Sequence, residues 1–411
     1  MADHPPPDFD PYAPEVLARS PDAFAELGRH CPVHHYQGKF DFFIASDYRE
    51  IKENVLRDHT TWTARNGNTP RVMDERYASG ITTDPPEHFA FRGVIQRGFG
   101  PEQMKRLGGE IDRIANQLID AMQAEPAGEG NFFERFAMPL AARLMCLMLG
   151  APESEYLIYK QWADDMTFVE YNVPEETIDA HARKINAHFG AMLAERVAKL
   201  EAAGLKPAME HVGKVLPDDF MSRYLCDQVG DRPLKKYEVL NLVAAIFIGG
   251  NETTMNLICN LLWRLLEVPA RWERLKAEPA LIPVAIEESL RYDPPVIGLF
   301  RTSTCPAKLG EVDVPARSKV LYNIAAANRD PERWPNPDEF SLDRPLAELR
   351  QHLSFSAGAH ACLGLGLARM ELKQVFELLT TRLPELRLTG ASRRAPGFNF
   401  WGREDLPVAW N

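Results

Sequence analysis

The sequence predicts a mainly α-helical protein with a few short strands. Apolar residues recur at helical spacing over most of the 411-residue chain, whereas alternating, strand-like runs are few and short. Hydrophobic residues make up 45% of the chain, which is enough for a large core. Apolar helical runs lie on both sides of the polar segment 204–217, which indicates one continuous core. We therefore expect one domain over residues 1–411, with residues 1–15 extended.

Composition and charge narrow the class of protein. The formal net charge is −11 at pH 7, whereas a nucleic-acid-binding protein should show a basic face. This negative net charge favours a protein that binds small molecules or other proteins. The six cysteines are scattered without a C-x-x-C pair, which is typical of a reduced, cytoplasmic protein. Residues 1–15 are rich in Pro and Asp and contain no signal peptide or spanning helix, so we expect no membrane attachment.

The first elements are a hairpin and an irregular segment. Residues 33–46 alternate and carry aromatic side chains, which predicts a short hairpin. The pattern becomes helical from Asp47, and a polar run without clear period follows at 60–83. Long irregular segments inside compact proteins often carry function. Later amphipathic or apolar runs predict helices at 101–124, 135–149, 153–169 and 174–203.

A helix is also predicted to begin near residue 84. Asp84 would cap it, two prolines would occupy its first turn, and an acidic residue follows. His88 and Arg92 are four residues apart and therefore share one face of this helix. Taken alone, that pair is equally consistent with a solvated basic face.

The longest predicted helix covers residues 234–267 and is apolar on all sides, as expected of a buried helix. Its middle nevertheless reads GGNETT at 249–254. Each glycine there costs about 1 kcal/mol relative to alanine, and buried polar groups are costly unless paired. One explanation is a close helix crossing that small residues allow. The other is a local groove, opened where the Thr253 hydroxyl bonds to the Gly249 carbonyl one turn earlier.

A cysteine loop precedes another predicted helix. Residues 355–368 read FSAGAHACLGLGLA and place Cys362 between glycines, just before the helix. A thiolate there lies near the positive end of the helix dipole, where backbone N–H groups can point at it. This lowers its pKa and suits it to be a permanent metal ligand. Gly358 and Gly364 lack a Cβ, so a large flat group could lie against the backbone. A cysteine taken alone is more often simply buried.

This segment resembles the haem-binding signature of the cytochrome P-450 family. Phe355 is followed by Gly three residues later and then by His360, Cys362 and Gly364 at steps of two. The resemblance implies haem b (iron protoporphyrin IX) with the Cys362 thiolate as proximal ligand and with Phe355 and Gly364 beside it. One position departs from the family pattern, because Ser356 stands where Gly is usual. The implied architecture is the cytochrome P-450 fold, a triangular helical bundle with small β-sheets, here of the soluble bacterial type.

The resemblance extends to the central helix and to two apolar segments. Glu252 beside Thr253 is similar to the family's acid–alcohol pair, which relays protons to bound dioxygen and would make both residues catalytic. Phe398 and Trp401 fit either a pocket or the core. The implied pocket is apolar, which favours an apolar substrate. Its residues are Ala245, Ile248, Gly249, Val296, Ile297, Leu299 and Phe400.

Two further sets of residues match family positions. Glu288 and Arg291 resemble the family's E-x-x-R helix, and with Arg344 they would interlock behind the ligand loop in a structural role. Their spacing also fits an ordinary surface ion pair. The second set would contact the two haem propionates, which need several charge-assisted donors. These residues are His88, Arg92, Arg301, His352 and His360.

The function implied by the resemblance is that of a haem-thiolate monooxygenase, which inserts one oxygen atom from O2 into a small-to-medium hydrophobic substrate, typically by C–H hydroxylation. The chain has no dinucleotide fingerprint after a strand. Electrons are therefore expected from a separate ferredoxin and its NAD(P)H-dependent reductase, with Arg369 and Lys373 as basic residues for an acidic partner. We expect a cytoplasmic monomer without nucleic-acid or membrane partners. A peroxide-driven peroxygenase of the same fold and a non-catalytic haem sensor or carrier stay open, as do substrate and position oxidised.

Overall fold

Helices dominate the structure, as predicted. The computed structural model describes residues 9–167, 175–395 and 397–411. Single π-helical turns at Glu50–Val55 and Phe133–Ala137 supplement the α-helices. The α-helices are α1 Pro14–Ala18, α2 Ser20–His30, α3 Glu87–Arg97, α4 Pro101–Gln123, α5 Met138–Leu149, α6 Tyr156–Thr167, α7 Glu175–Ala202, α8 Phe220–Cys226, α9 Lys236–Leu266, α10 Pro269–Ala277, α11 Ile282–Tyr292, α12 Ile324–Ala327, α13 Leu346–Leu349 and α14 Leu365–Arg382.

The strands form small separate sheets. The largest sheet has the order β1-β2-β10-β7-β3, in which β2 and β10 are parallel and the other neighbours are antiparallel. The predicted hairpin is confirmed as β1 and β2. The strands are β1 Val33–Gln37, β2 Asp41–Ala45, β3 Trp62–Thr63, β4 Glu129–Asn131, β5 Gln228–Val229, β6 Arg232–Pro233, β7 Gly298–Ser303, β8 Ala307–Leu309, β9 Val312–Val314, β10 Lys319–Asn323, β11 Arg387–Leu388, β12 Arg393–Arg394, β13 Arg403–Asp405 and β14 Pro407–Ala409.

Helix α9 crosses the middle of the core. Its second half is apolar and buried against α5, α10 and α11, in one cluster with the apolar face of α14. By length and hydropathy alone α9 could cross a membrane, but 61% of its most apolar stretch is buried within the protein, as in the core helix of a soluble protein. The core therefore joins this helix to α14, the helix that follows Cys362.

Two local predictions are wrong. Asp84 does not cap α3, because its carboxylate accepts hydrogen bonds from the Thr63 hydroxyl and, at 3.0 Å, from the Ala64 N–H. It joins β3 to the start of the helix instead.

Residues 1–8 of the segment predicted as extended lie outside the described residues, and its last two positions belong to α1. Residues 168, 169 and 174, predicted as helical ends, also lie outside the described residues.

Candidate active site

Cys362 lies in a tight loop immediately before α14. Its N–H donates to the Phe355 carbonyl over 2.8 Å, which closes the loop. The backbone N–H groups of Gly364 and Leu365 donate to its sulfur. Because α14 begins at Leu365, the sulfur lies over the first turn, at the positive end of the helix dipole. The predicted placement of the cysteine ahead of a helix is confirmed.

The environment of the sulfur distinguishes a ligand from a packed core thiol. Burial raises the pKa of Cys362, and the Gly364 N–H and the positive charge of Arg92 oppose this rise without outweighing it. The predicted net lowering of the pKa is therefore wrong. The side chain is nevertheless exposed, so it faces a space inside the protein and is not packed in the core. A thiolate in such a place is stabilised by a bound cation, which offsets its desolvation.

The two glycines of this loop serve different purposes. Gly358 has φ +67°, and a Cβ there would lie 2.6 Å from the Leu56 carbonyl oxygen. It is required by the turn and not by a flat group, so that part of the prediction is wrong. A Cβ on Gly364 would lie 3.8 Å from the Cys362 sulfur, so Gly364 leaves bare backbone beside it. Ser356 adopts φ +58°, in the region that favours glycine.

Positive and donor side chains gather beside the cysteine. Arg92 Nη1 donates to the carbonyls of Ala359 and Ala361 over 3.0 and 2.7 Å. The rings of His88 and His360 lie 4.0 Å apart. Burial and the nearby charge of Arg301 lower the pKa of His360 to about 2, so it is neutral.

Among the described residues, no carboxylate forms an ion pair with Arg92 or Arg301 of this cluster. Arg301 is buried in β7, and its Nη1 donates to the Phe300 carbonyl over 3.1 Å. Within the part of the chain that the structure describes, neither Arg92 nor Arg301 forms an ion pair, and the buried Nε2 of His360 has no hydrogen-bond partner. The site therefore suits a ligand that supplies negative charge, such as a group with two carboxylates.

His352 does not join this cluster. Its Nε2 lies 3.0 Å from Glu287 Oε2, and its Nδ1 accepts the Ser354 N–H over 3.2 Å. Both nitrogens are thus satisfied by the protein, and the predicted propionate contact of His352 is not retained. The sequence contained no signal for Glu287 beyond an acidic residue next to Glu288.

The middle of α9 contains both features that the sequence left as alternatives. The Thr253 hydroxyl donates to the Gly249 carbonyl over 2.7 Å. A Cβ on Gly249 would meet nothing within 4 Å, so the helix surface is open there. A Cβ on Gly250 would lie 2.5 Å from the terminal methyl of Met145. Gly249 therefore faces a groove, whereas Gly250 permits a close helix crossing with α5.

Glu252 faces a different side of α9 from Thr253. It is 1% exposed, and its Oε1 lies 3.1 Å from Lys160 Nζ of α6. Lys160 also pairs with Asp164. Burial raises the pKa of Glu252 to about 7, although the charge of Lys160 acts to lower it. A cavity of about 340 Å³ adjoins these three residues and Asn256. The sequence analysis did not identify Lys160 as the partner of the predicted acid.

The two apolar segments meet in space. Val296 and Phe400 form an antiparallel bridge, and both are half-buried, as is Leu299. Ile297 is fully buried among aromatic side chains and is not retained as a pocket residue. Alternate residues of an extended segment point to opposite sides, which explains the difference between Ile297 and its neighbours. Phe398 and Trp401 belong to the same aromatic core.

Glu288, Arg291 and Arg344 interlock. Arg291 places Nε and Nη2 on the Glu288 carboxylate over 2.7 and 2.8 Å, with both side chains 0% exposed. Arg344 Nε adds a bond of 3.2 Å to the same carboxylate. The remaining donors of both arginines bind carbonyls of the segment 328–339. The surface ion pair that the spacing also allowed is excluded.

Comparison with known proteins identifies the family. The Cytochrome P-450 family model matches residues 161–383. The cytochrome P-450 monooxygenase PikC of Streptomyces venezuelae is 30% identical over 356 residues, which cover 84% of this chain and 80% of PikC. Mycinamicin IV hydroxylase/epoxidase of Micromonospora griseorubida is 30% identical over 349 residues, 83% of this chain and 82% of that protein.

Solved structures agree with the sequence comparisons. A cytochrome P-450 from Chondromyces apiculatus superposes with a TM-score of 0.81 at 28% identity, covering 98% of this chain and 97% of that one. The architecture is therefore the cytochrome P-450 fold. The chain belongs to the cytochrome P-450 family and is a monooxygenase of its bacterial type.

Proposed function

We propose that this monooxygenase binds haem b through the Cys362 thiolate and inserts one oxygen atom from O2 into a small-to-medium hydrophobic substrate. The observation that carries the proposal is the accessible Cys362 sulfur, which receives two backbone N–H donors at the start of α14 and lies near a group of cationic donors. Thiolate-ligated haem supplies the electron-transfer and oxygen chemistry when bound.

The residues around the loop fit this cofactor. Bare backbone at Gly364 leaves room beside the sulfur for a flat macrocycle. Arg92 and Arg301 have no carboxylate partner in the described residues, and His360 presents an unpaired buried nitrogen. We assign these three residues to the two propionates, because charge-assisted bonds to carboxylates offset their burial. His88 is not retained, because its ring nitrogens lie 3.2 Å from the Gly80 carbonyl oxygen and 3.0 Å from the Ala359 carbonyl oxygen. The Phe355 carbonyl stabilises the loop by accepting the Cys362 N–H.

Thr253 and Glu252 are proposed to deliver protons. The Thr253 hydroxyl is held on the Gly249 carbonyl, and turning it toward the open groove breaks one hydrogen bond, worth about 1 kcal/mol. Glu252 has a pKa of about 7 because it is buried, so it exchanges protons near neutral pH. Its position beside a cavity and Lys160 gives it a source of protons on the far side of α9.

The pocket residues support a hydrophobic substrate and hydroxylation as the typical reaction. Ala245, Ile248, Val296, Leu299 and Phe400 are apolar and partly exposed, and such surfaces bind apolar ligands. The name of the mycinamicin relative supports hydroxylation or epoxidation.

Further proposals concern the location of the enzyme in the cell, its oligomeric state and its redox partners. We propose a single-domain, monomeric, cytoplasmic enzyme that receives electrons from a ferredoxin and its NAD(P)H-dependent reductase. Within the described residues, Lys373 is an exposed candidate contact, although it pairs with Glu377. Arg369 is committed to Glu287 and is not retained as a partner contact.

The first experiment is the visible spectrum of the reduced protein under carbon monoxide. Wild type should show the strongly red-shifted Soret band of a thiolate-ligated haem. Cys362→Ala should lose that band and monooxygenase activity, whereas Cys305→Ala, at another exposed cysteine, should keep both. Retention of the band in Cys362→Ala would remove Cys362 as ligand. Absence of NAD(P)H consumption with surrogate ferredoxins and candidate substrates would favour a sensor, and turnover with peroxide alone a peroxygenase.

A further inference from the structure

A second charged cluster lies behind the cysteine loop, separate from the Glu288 interlock. Its centre is Glu287 of α11, whose side chain is 3% exposed. Glu287 Oε2 receives His352 Nε2 at 3.0 Å, and Arg369 donates to both oxygens, over 2.6 Å from Nε and 2.9 Å from Nη2. His352 precedes Cys362 and Arg369 follows it in α14. One carboxylate therefore binds both flanks of the loop.

The charges of this cluster follow from its hydrogen bonds. The Ser354 N–H donates to His352 Nδ1, so that nitrogen carries no proton and Nε2–H donates to Glu287. His352 is then neutral. Burial acts to raise the pKa of Glu287, but the bonds from His352 and Arg369 outweigh it and hold the pKa at about 2. The cluster contains one negative and one positive charge, which balance.

Phe355 connects this cluster to the cysteine. The Arg369 guanidinium lies 5.0 Å from the centre of the Phe355 ring, and the His352 ring lies 5.7 Å from it. The Phe355 carbonyl accepts the Cys362 N–H over 2.8 Å. The positive charge of Arg369 also acts directly on the Cys362 thiol, in the direction that favours the thiolate. Glu287 is thus linked to the sulfur both by geometry and by charge.

We propose that Glu287 is a positioning residue for the thiolate: it fixes both flanks of the loop and balances Arg369, and so sets how long the sulfur stays on the iron and how readily the iron is reduced. The inference rests on the proposed function, because it takes Cys362 as the haem ligand. Neither the interlock nor the propionate cluster provides this link, since neither contacts both flanks.

The test compares holoenzyme variants of matched charge. Glu287→Gln removes the charge and keeps the shape, and Glu377→Gln is the control, because Glu377 forms an exposed pair with Lys373 on the same helix α14. Three quantities are measured: the rate at which the red-shifted carbon monoxide band is lost in mild denaturant, the reduction potential of the iron, and global unfolding.

Glu287→Gln should lose the red-shifted band about tenfold faster than wild type, since it weakens bonds to a charged group. Loss should precede global unfolding. The reduction potential should become more positive, because the uncompensated Arg369 charge favours the added electron. Glu377→Gln should change neither quantity, since solvent screens an exposed pair.

Arg369→Lys separates position from charge, since it keeps the charge but loses the two-pronged geometry. It should lose the band faster than wild type at an unchanged potential. If Glu287→Gln holds no haem, Arg369→Lys decides the positional claim: a wild-type rate overturns it. A wild-type rate and potential in Glu287→Gln also overturn the inference. An absent red-shifted band in wild type would instead refute the proposed function itself.

Discussion

The local backbone determines how Thr253 and Ser356 behave at this site. The Thr253 hydroxyl binds a carbonyl of its own helix, not another side chain, so its release toward the groove disturbs little else. Ser356 holds a left-handed conformation that its Cβ disfavours, in the turn that leads to Cys362. Both residues therefore permit substitutions whose effects separate chemistry from folding.

Thr253→Ala should keep the haem spectrum and NAD(P)H oxidation, while product formed per NAD(P)H falls several-fold and peroxide rises. The hydroxyl that we propose passes protons is lost, but the groove at Gly249 and the helix remain. The measurement is product and peroxide per NAD(P)H consumed. Thr253→Ser retains a hydroxyl and should retain most of the coupling. Unchanged coupling in the alanine variant would refute the proton-delivery role.

Ser356→Gly should stabilise the protein by up to about 1 kcal/mol. A left-handed non-glycine residue costs roughly 1–2 kcal/mol, and the added freedom of glycine in the unfolded chain returns roughly 0.5–1 kcal/mol of that. Chemical denaturation of both holoproteins measures the difference. Ala357→Gly is the control, because Ala357 has φ −148° and no strain to relieve; it should destabilise. Equal destabilisation by both variants would contradict the argument.

At the scale of elements, the position of α6 beside α9 determines the environment of Glu252, the proposed catalytic acid. Lys160 reaches Glu252 from α6, one turn before Asp164, with which it also pairs. The two acids compete for one half-buried ammonium group. The acid on α9 is therefore controlled by a helix that is distant in sequence.

Lys160→Met should move the pH dependence of coupling upward by about one unit or more. The lysine lowers the pKa of Glu252, which is about 7 in its presence, and an opposite charge at this distance typically accounts for 1–3 units. Without the lysine the carboxyl stays protonated to higher pH. Product per NAD(P)H as a function of pH measures the shift. Lys160→Arg keeps the charge and should leave the profile near wild type. An unshifted profile in Lys160→Met would disconnect Glu252 from the pH dependence.

At the scale of the molecule, one helical core holds the groove, the cysteine loop and the two apolar segments together. Helix α9 provides the groove, and α11 anchors the loop through Glu287 and the segment 328–339 through Glu288. The pairing of Val296 with Phe400 brings a C-terminal residue to the proposed pocket. A ligand that fills this pocket contacts several elements at once. Its binding should therefore stabilise the whole fold.

An apolar compound that shifts the ferric spin state should raise the thermal unfolding temperature of the holoprotein. At about 100 times its dissociation constant, mass action contributes about 2.7 kcal/mol. A charged compound of similar size should do neither, because the pocket side chains are apolar. Thermal unfolding and spin-state titration in the same samples test this. Spin-state shifts without stabilisation would argue against a pocket shared by several elements.

Local signals in the sequence were sufficient for several features. The period of apolar residues predicted the long helices, and glycine and threonine at fixed spacing in α9 predicted the bond from Thr253 to Gly249. The motif around Cys362 predicted a cysteine loop ahead of a helix. These features depend on residues within one or two turns of each other, and the spacing of residues along the sequence predicts such short-range interactions.

The partners of buried charges were decided by the tertiary structure. Glu287 with His352, and Glu252 with Lys160, join residues far apart in sequence, and His352 consequently turns away from the predicted propionate contact. Ile297 is buried and Val296 is not, because the sheet and the aromatic core select one side of an extended segment. The sequence by itself determined which long helices form and, through the cysteine motif, which family the chain belongs to. Only the tertiary structure decided which charged side chains form pairs. Burying a charge is costly unless it is paired, so each buried charge depends on the partner that packing places beside it.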